Sequence, residues 1–80
     1  MSLRVIVKPE QIQNWIAERH GMSARRRGTE TDLSILFGGP GGDYEPITID
    51  ELIEVMRFHH LVLLVDQEPG KTFHRIYRHS

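Results

Sequence analysis

Leu61-Val62-Leu63-Leu64-Val65 is an uninterrupted apolar run, and it constrains the fold more than any other feature of the chain. It falls far short of the roughly 18 residues a membrane-spanning helix needs. Its length and content suit a strand buried on both faces. Downstream, Asp66 to Lys71 holds Pro69-Gly70, a turn signal with glycine in the positive-φ position. Thr72 to Arg78 then alternates: Phe73, Arg75 and Tyr77 point one way, His74, Ile76 and Arg78 the other. The chain is expected to end in a β-hairpin.

Two stretches carry helical periodicity. After Pro9, well placed in a first helical turn, Ile12, Trp15, Ile16 and Arg19 recur at i, i+3, i+4 and i+7. The three apolar residues form a stripe, and Arg19 can lay its stem along the same face. Gly21 supplies a left-handed stop, so helix 1 is expected from Pro9 to His20. Helix 2 opens on Thr48-Ile49-Asp50-Glu51, a capping box flanked by Ile47 and Leu52 at staple spacing. It is expected from Ile49 to Arg57, burying Leu52, Ile53 and Met56.

Arg4 to Val7 is a short β-branched candidate for a first strand, and Leu33 to Phe37 reads as a strand facing inward at Leu33, Ile35 and Phe37. Residues 22–32 lack apolar periodicity and read as an exposed loop, and Gly38 to Asp43 as a glycine-rich loop. No internal repeat stands out. The expectation is one small α+β domain over residues 1–80, in the order (β)αβαββ, with a three- to four-stranded sheet and two helices packed on one face. Its core should comprise Ile12, Trp15, Ile16, Leu33, Ile35, Phe37, Leu52, Ile53, Met56, Leu61, Leu63, Val65, Phe73 and Ile76.

The chemistry-bearing residues are sparse. With no cysteine among 80 residues, disulfides and thiolate metal sites are excluded, and a cytoplasmic location is expected. His59 and His60 are adjacent and point apart, His74 is alone on its strand, and His20 and His79 stand at element ends; no metal or other cofactor is expected. The glycine loop fails the dinucleotide fingerprint because Tyr44 stands where its third glycine would fall, and Gly70-Lys71-Thr72 fails the Walker pattern at Val65. Ser34 lacks a nucleophile elbow, and the carboxylates of 30–54 form no spaced pair, so no enzyme is expected.

Charge is segregated although the net value is −1. Residues 1–28 carry +4, residues 29–56 carry −7, and residues 57–80 carry +2. Arg25-Arg26-Arg27, with Arg19 one turn upstream of the segment, are the candidate phosphate or partner contacts. The pI of about 6.5 misses the basic balance of most nucleic-acid binders.

Trp15-Ile16-Ala17-Glu18-Arg19-His20-Gly21, then Ala24, Gly28-Thr29, Leu33-x-Ile35-x-Phe37, Ile47 to Glu51 and Phe73-His74-Arg75 together resemble a family of short uncharacterised bacterial proteins. The resemblance covers about residues 10–76. Members often carry the label 1,4-α-glucan branching enzyme, but an enzyme of that name resembles a (β/α)8 barrel of roughly 250 residues. The chain departs from the family pattern at Ser23, where proline is usual, and at Ile53 or Met56, where an aromatic is usual. The resemblance implies a bacterial source and no activity. The expected function is a non-catalytic binding or interaction module, for a protein partner or for self-association. The alternative is a nucleic-acid-associated domain using Arg25 to Arg27, and a small enzyme ranks third.

Overall fold

The computed structural model describes residues 2–39 and 41–79. Eight elements follow one another: β1 (Leu3–Ile6), α1 (Pro9–Glu18), β2 (Met22–Arg26), β3 (Leu33–Leu36), β4 (Tyr44–Pro46), α2 (Ile49–Phe58), β5 (Leu61–Asp66) and β6 (His74–Arg78). The strands form two antiparallel three-stranded sheets, ordered β1-β5-β6 and β3-β2-β4. The domain is α+β, but the single sheet expected from the sequence is two sheets. Pro40, inside the expected glycine loop, lies outside the described residues.

The order of elements is a βαββ unit written twice. The two helices are ten residues each and start at Pro9 and Ile49, and each is followed by a hairpin, β2-β3 in the first half and β5-β6 in the second. Each half lends its first strand to the other: β1 pairs with β5, and β4 pairs with β2. The chain reversal after each helix uses the same device, a histidine in the left-handed region, His20 at φ 55° and His60 at φ 56°. This repeat is faint as sequence: Ile12 and Leu52, Ile16 and Met56, and His20 and His60 agree in kind, but Trp15 stands against Val55, Ser23 against Leu63 and Arg25 against Val65.

The helices end differently from expectation. Helix α1 stops at Glu18, and His20 rather than Gly21 takes the left-handed conformation. Gly21 is needed for closeness instead: a Cβ there would stand 2.7 Å from Ile35 Cγ2. At α2 the Thr48 hydroxyl accepts the Glu51 N–H at 3.0 Å, as the capping box requires.

Strand β2 overturns the loop expected over residues 22–32. It is the central strand of its sheet, yet its inward positions are Ser23, which is buried, and Arg25, whose charge is met by carboxylates. Polar inward residues erase the alternation that marks a strand.

Ile12, Trp15 and Ile16 of α1 and Leu52, Ile53 and Met56 of α2 share one core with Ile6, Leu33, Ile35, Leu63 and Val65. Phe37, Leu61 and Ile76 pack at its margin. Phe73 is a correction: it is half exposed, because by period two it shares the outward face with Tyr77 while Ile76 faces in. The two sheets meet where β3 approaches β6. There the His74 ring lies between them, its Nε2 accepting the Ile35 N–H at 3.2 Å. The ring proton therefore sits on Nδ1, which faces the Thr72 carbonyl at 3.1 Å.

Candidate interaction surface

The four arginines singled out in the sequence have different fates. Arg19 is bound into the fold. Its Nε donates to the Lys71 carbonyl at 2.6 Å, Nη1 to Trp15 at 3.1 Å, and Nη2 to Asp66 at 3.3 Å and Glu68 at 3.0 Å. Its guanidinium also stacks over the Trp15 ring, 4.4 Å from the centroid. The Trp15 indole N–H donates to the Asp66 carbonyl at 2.9 Å. Arg19, which caps the end of helix α1, thus clasps the β5–β6 turn from Asp66 to Lys71 through one planar fork, which matches several carbonyls at once.

Arg25 lies between two carboxylates, 3.0 Å from Glu51 and 3.7 Å from Glu45. Arg26 pairs with Asp32 at 2.8 Å and lies over the Tyr44 ring. The hydrogen bond to the Tyr44 hydroxyl, and then the Asp32 carboxylate, raise the Arg26 guanidinium above its ordinary pKa. Arg27 alone of the four makes no side-chain hydrogen bond or ion pair among the described residues; its backbone N–H donates to Asp43. The acidic middle of the chain therefore folds back onto the arginine segment. Of the candidate phosphate grip, one free guanidinium remains.

The remaining polar groups are also spread apart. His59 lies 3.5 Å from Glu30, while His74 is in the seam between the sheets. Among the described residues no three His, Asp or Glu side chains converge as metal ligands. Glu30, Asp50, Glu54 and Phe58 border an open groove of about 610 Å3, and Phe58 is 75% exposed. No helix among the described residues is long and apolar enough to cross a membrane.

The feature that sequence reasoning missed is the outer face of the β1-β5-β6 sheet. Leu63 and Val65 turn inward, so Val62 and Leu64 of the same run take the opposite face of the sheet, Val62 still buried and Leu64 half-buried. Register places Val5, Leu64 and Arg75 in one row, Leu3 beside Asp66, and Val62 beside Tyr77. Phe73 extends the same face. Leu3, Val5, Phe73 and Tyr77 are all substantially exposed, whereas Asp66 is 5% exposed and its carboxylate accepts the Glu68 N–H. Arg75 is the one exposed charge in these rows. A shallow depression of about 230 Å3 lies among Leu64, Arg75 and Tyr77, smaller than a typical small-molecule site. The signal was present in the sequence: a run apolar at every position asks for cover on both faces. The helices cover one.

Comparison with known proteins finds no matching family model, no similar curated protein and no similar solved structure.

Proposed function

We propose that this chain is a non-catalytic interaction domain that binds protein through the outer face of its β1-β5-β6 sheet. The observation that carries the reading is the apolar character of that face, with Val5, Leu64 and Tyr77 set around a single exposed charge, Arg75. An open antiparallel sheet ordinarily turns polar residues to water, and a contiguous exposed apolar patch marks a contact surface. The cysteine-free composition supports a cytoplasmic setting. The nucleic-acid alternative loses support because Arg19, Arg25 and Arg26 are occupied within the fold.

The test pairs two variants with two classes of ligand. Phe73→Lys and Tyr77→Lys change the outer face at exposed positions and should leave the unfolding curve close to that of the wild type. A protein recovered by the wild-type domain and then titrated in purified form should bind each variant at least about tenfold more weakly, as loss of a central aromatic contact does. Single- and double-stranded oligonucleotides should not bind at physiological salt. Salt-sensitive oligonucleotide binding that disappears when Arg26 and Arg27 are replaced by alanine would overturn the reading.

A further inference from the structure

The ladder between β1 and β5 has a defined phase. The Gln67 N–H donates to the Ser2 carbonyl at 2.7 Å, and two residues further on lie the pairs Arg4↔Val65 and Ile6↔Leu63. Antiparallel residues alternate between bonding their neighbour and facing away from it. The even-numbered residues of β1 therefore bond β5, and the N–H and C=O groups of Leu3 and Val5, with Val7 beyond the strand end, face the open side. The side chains of Leu3, Val5 and Val7 lie on the outer face, 44%, 44% and 56% exposed.

The other sheet edges are protected. Strand β6 abuts β3 across the His74 seam. Strand β4 is only three residues long and ends in Pro46, a short edge with a missing donor. Strand β1 has neither protection: it is an aliphatic edge with a row of unused main-chain groups.

We propose that β1 pairs antiparallel with β1 of a second copy about a two-fold axis through Val5, joining two β1-β5-β6 sheets into one six-stranded sheet. This contact lies at the edge of the same sheet rather than on its outer face, and it rests on the reading of the domain as an interaction module. The strand is complementary to itself. In this register Val5 meets Val5 of the second copy and Leu3 meets its Val7, so every outward main-chain group finds a mate and aliphatic side chains meet aliphatic ones. Arg4, the only charge in β1, falls opposite Ile6 of the second copy. A register centred on Arg4 would set two arginines directly opposite, which is destabilising, and one centred on Ile6 would leave Leu3 unpaired. Because β6 abuts β3, and β4 is a three-residue edge ending in Pro46, the two-fold contact closes the assembly at two chains rather than growing it into a filament.

The chain has no cysteine, so Val5→Cys introduces a single reporter at the axis. Facing Cα atoms of a bonded antiparallel pair are about 5.5 Å apart, within disulfide range. Sedimentation equilibrium of the wild type should show a reversible dimer, and oxidised V5C should run as a covalent dimer with the unfolding behaviour of a folded domain. The double variant L3K/V7K sets like charges opposite at both ends and should weaken dimerisation at least about tenfold. L3E/V7K, with opposite charges in the same register, should restore it. A wild type that stays monomeric up to sub-millimolar concentration overturns the dimer, as does folded V5C that does not cross-link. Equal weakening by L3E/V7K and L3K/V7K overturns the register. Protein binding that depends on Tyr77 while the wild type stays monomeric would retain the interaction module and remove the self-pairing. Loss of both would remove the two together.

Discussion

Removing the Arg19 guanidinium tests the clasp between α1 and the β5–β6 turn. Arg19→Ala withdraws donors from the carbonyls of Trp15, Asp66, Glu68 and Lys71 and uncovers the Trp15 ring. The contact to Lys71 is exposed, and water can take the place of the guanidinium there. The other three are partly buried, and at the low end of about 0.5–1 kcal/mol each they contribute roughly 2 kcal/mol. The stacked contact adds about 0.5–1 kcal/mol at a half-exposed site, for a total of about 2–3 kcal/mol. Arg19→Lys keeps the charge but loses the fork, and should recover no more than about half of that. Urea unfolding followed by far-UV circular dichroism measures the loss. Amide exchange of residues 67–72 should accelerate more than exchange in the core strands, since the turn loses its anchor first. A change below about 0.5 kcal/mol for Arg19→Ala, with exchange in the turn unaltered, would refute the structural role. If the arginine were instead a free phosphate contact, the same variant would lose ligand without losing stability.

Trp15→Ala should cost about 3–5 kcal/mol in urea unfolding, close to the whole stability of so small a domain. Trp15→Phe, which keeps most of the ring burial but leaves the Asp66 carbonyl without the indole N–H, should cost roughly 1–2 kcal/mol. Thr48→Ala should lower stability by about 1 kcal/mol through loss of the hydroxyl cap on the Glu51 N–H, while Thr48→Ser should be nearly neutral by thermal melting. Gly21→Ala drives a methyl to within 2.7 Å of Ile35 Cγ2 and should cost about 1–3 kcal/mol in urea unfolding. A neutral result there would mean that β3 yields more easily than its packing implies.

The helices, the terminal hairpin and most of the core followed from the sequence, because each rests on neighbours within a few positions. The Ile12, Trp15 and Ile16 stripe, the Thr48 cap and the Pro69-Gly70 turn are local physics. The tertiary structure decided where long-range partners replace local ones. Strand β2 exists because β3 and β4 flank it, and nothing in Met22-Ser23-Ala24-Arg25-Arg26 alternates in polarity to announce it. Its arginines looked like a free basic segment because Glu45 and Glu51, which meet Arg25, lie some 20 or more positions away. Arg19 likewise binds carbonyls around 50 positions downstream. The exchange of first strands between the two βαββ halves is a choice among edges, and periodicity carries no information about which edge a strand joins. The sequence by itself determined that Leu61 to Val65 would be a strand wanting cover on both faces. Only the placement of both helices over one face determined which residues would be left outside, and so which surface is free to meet a partner.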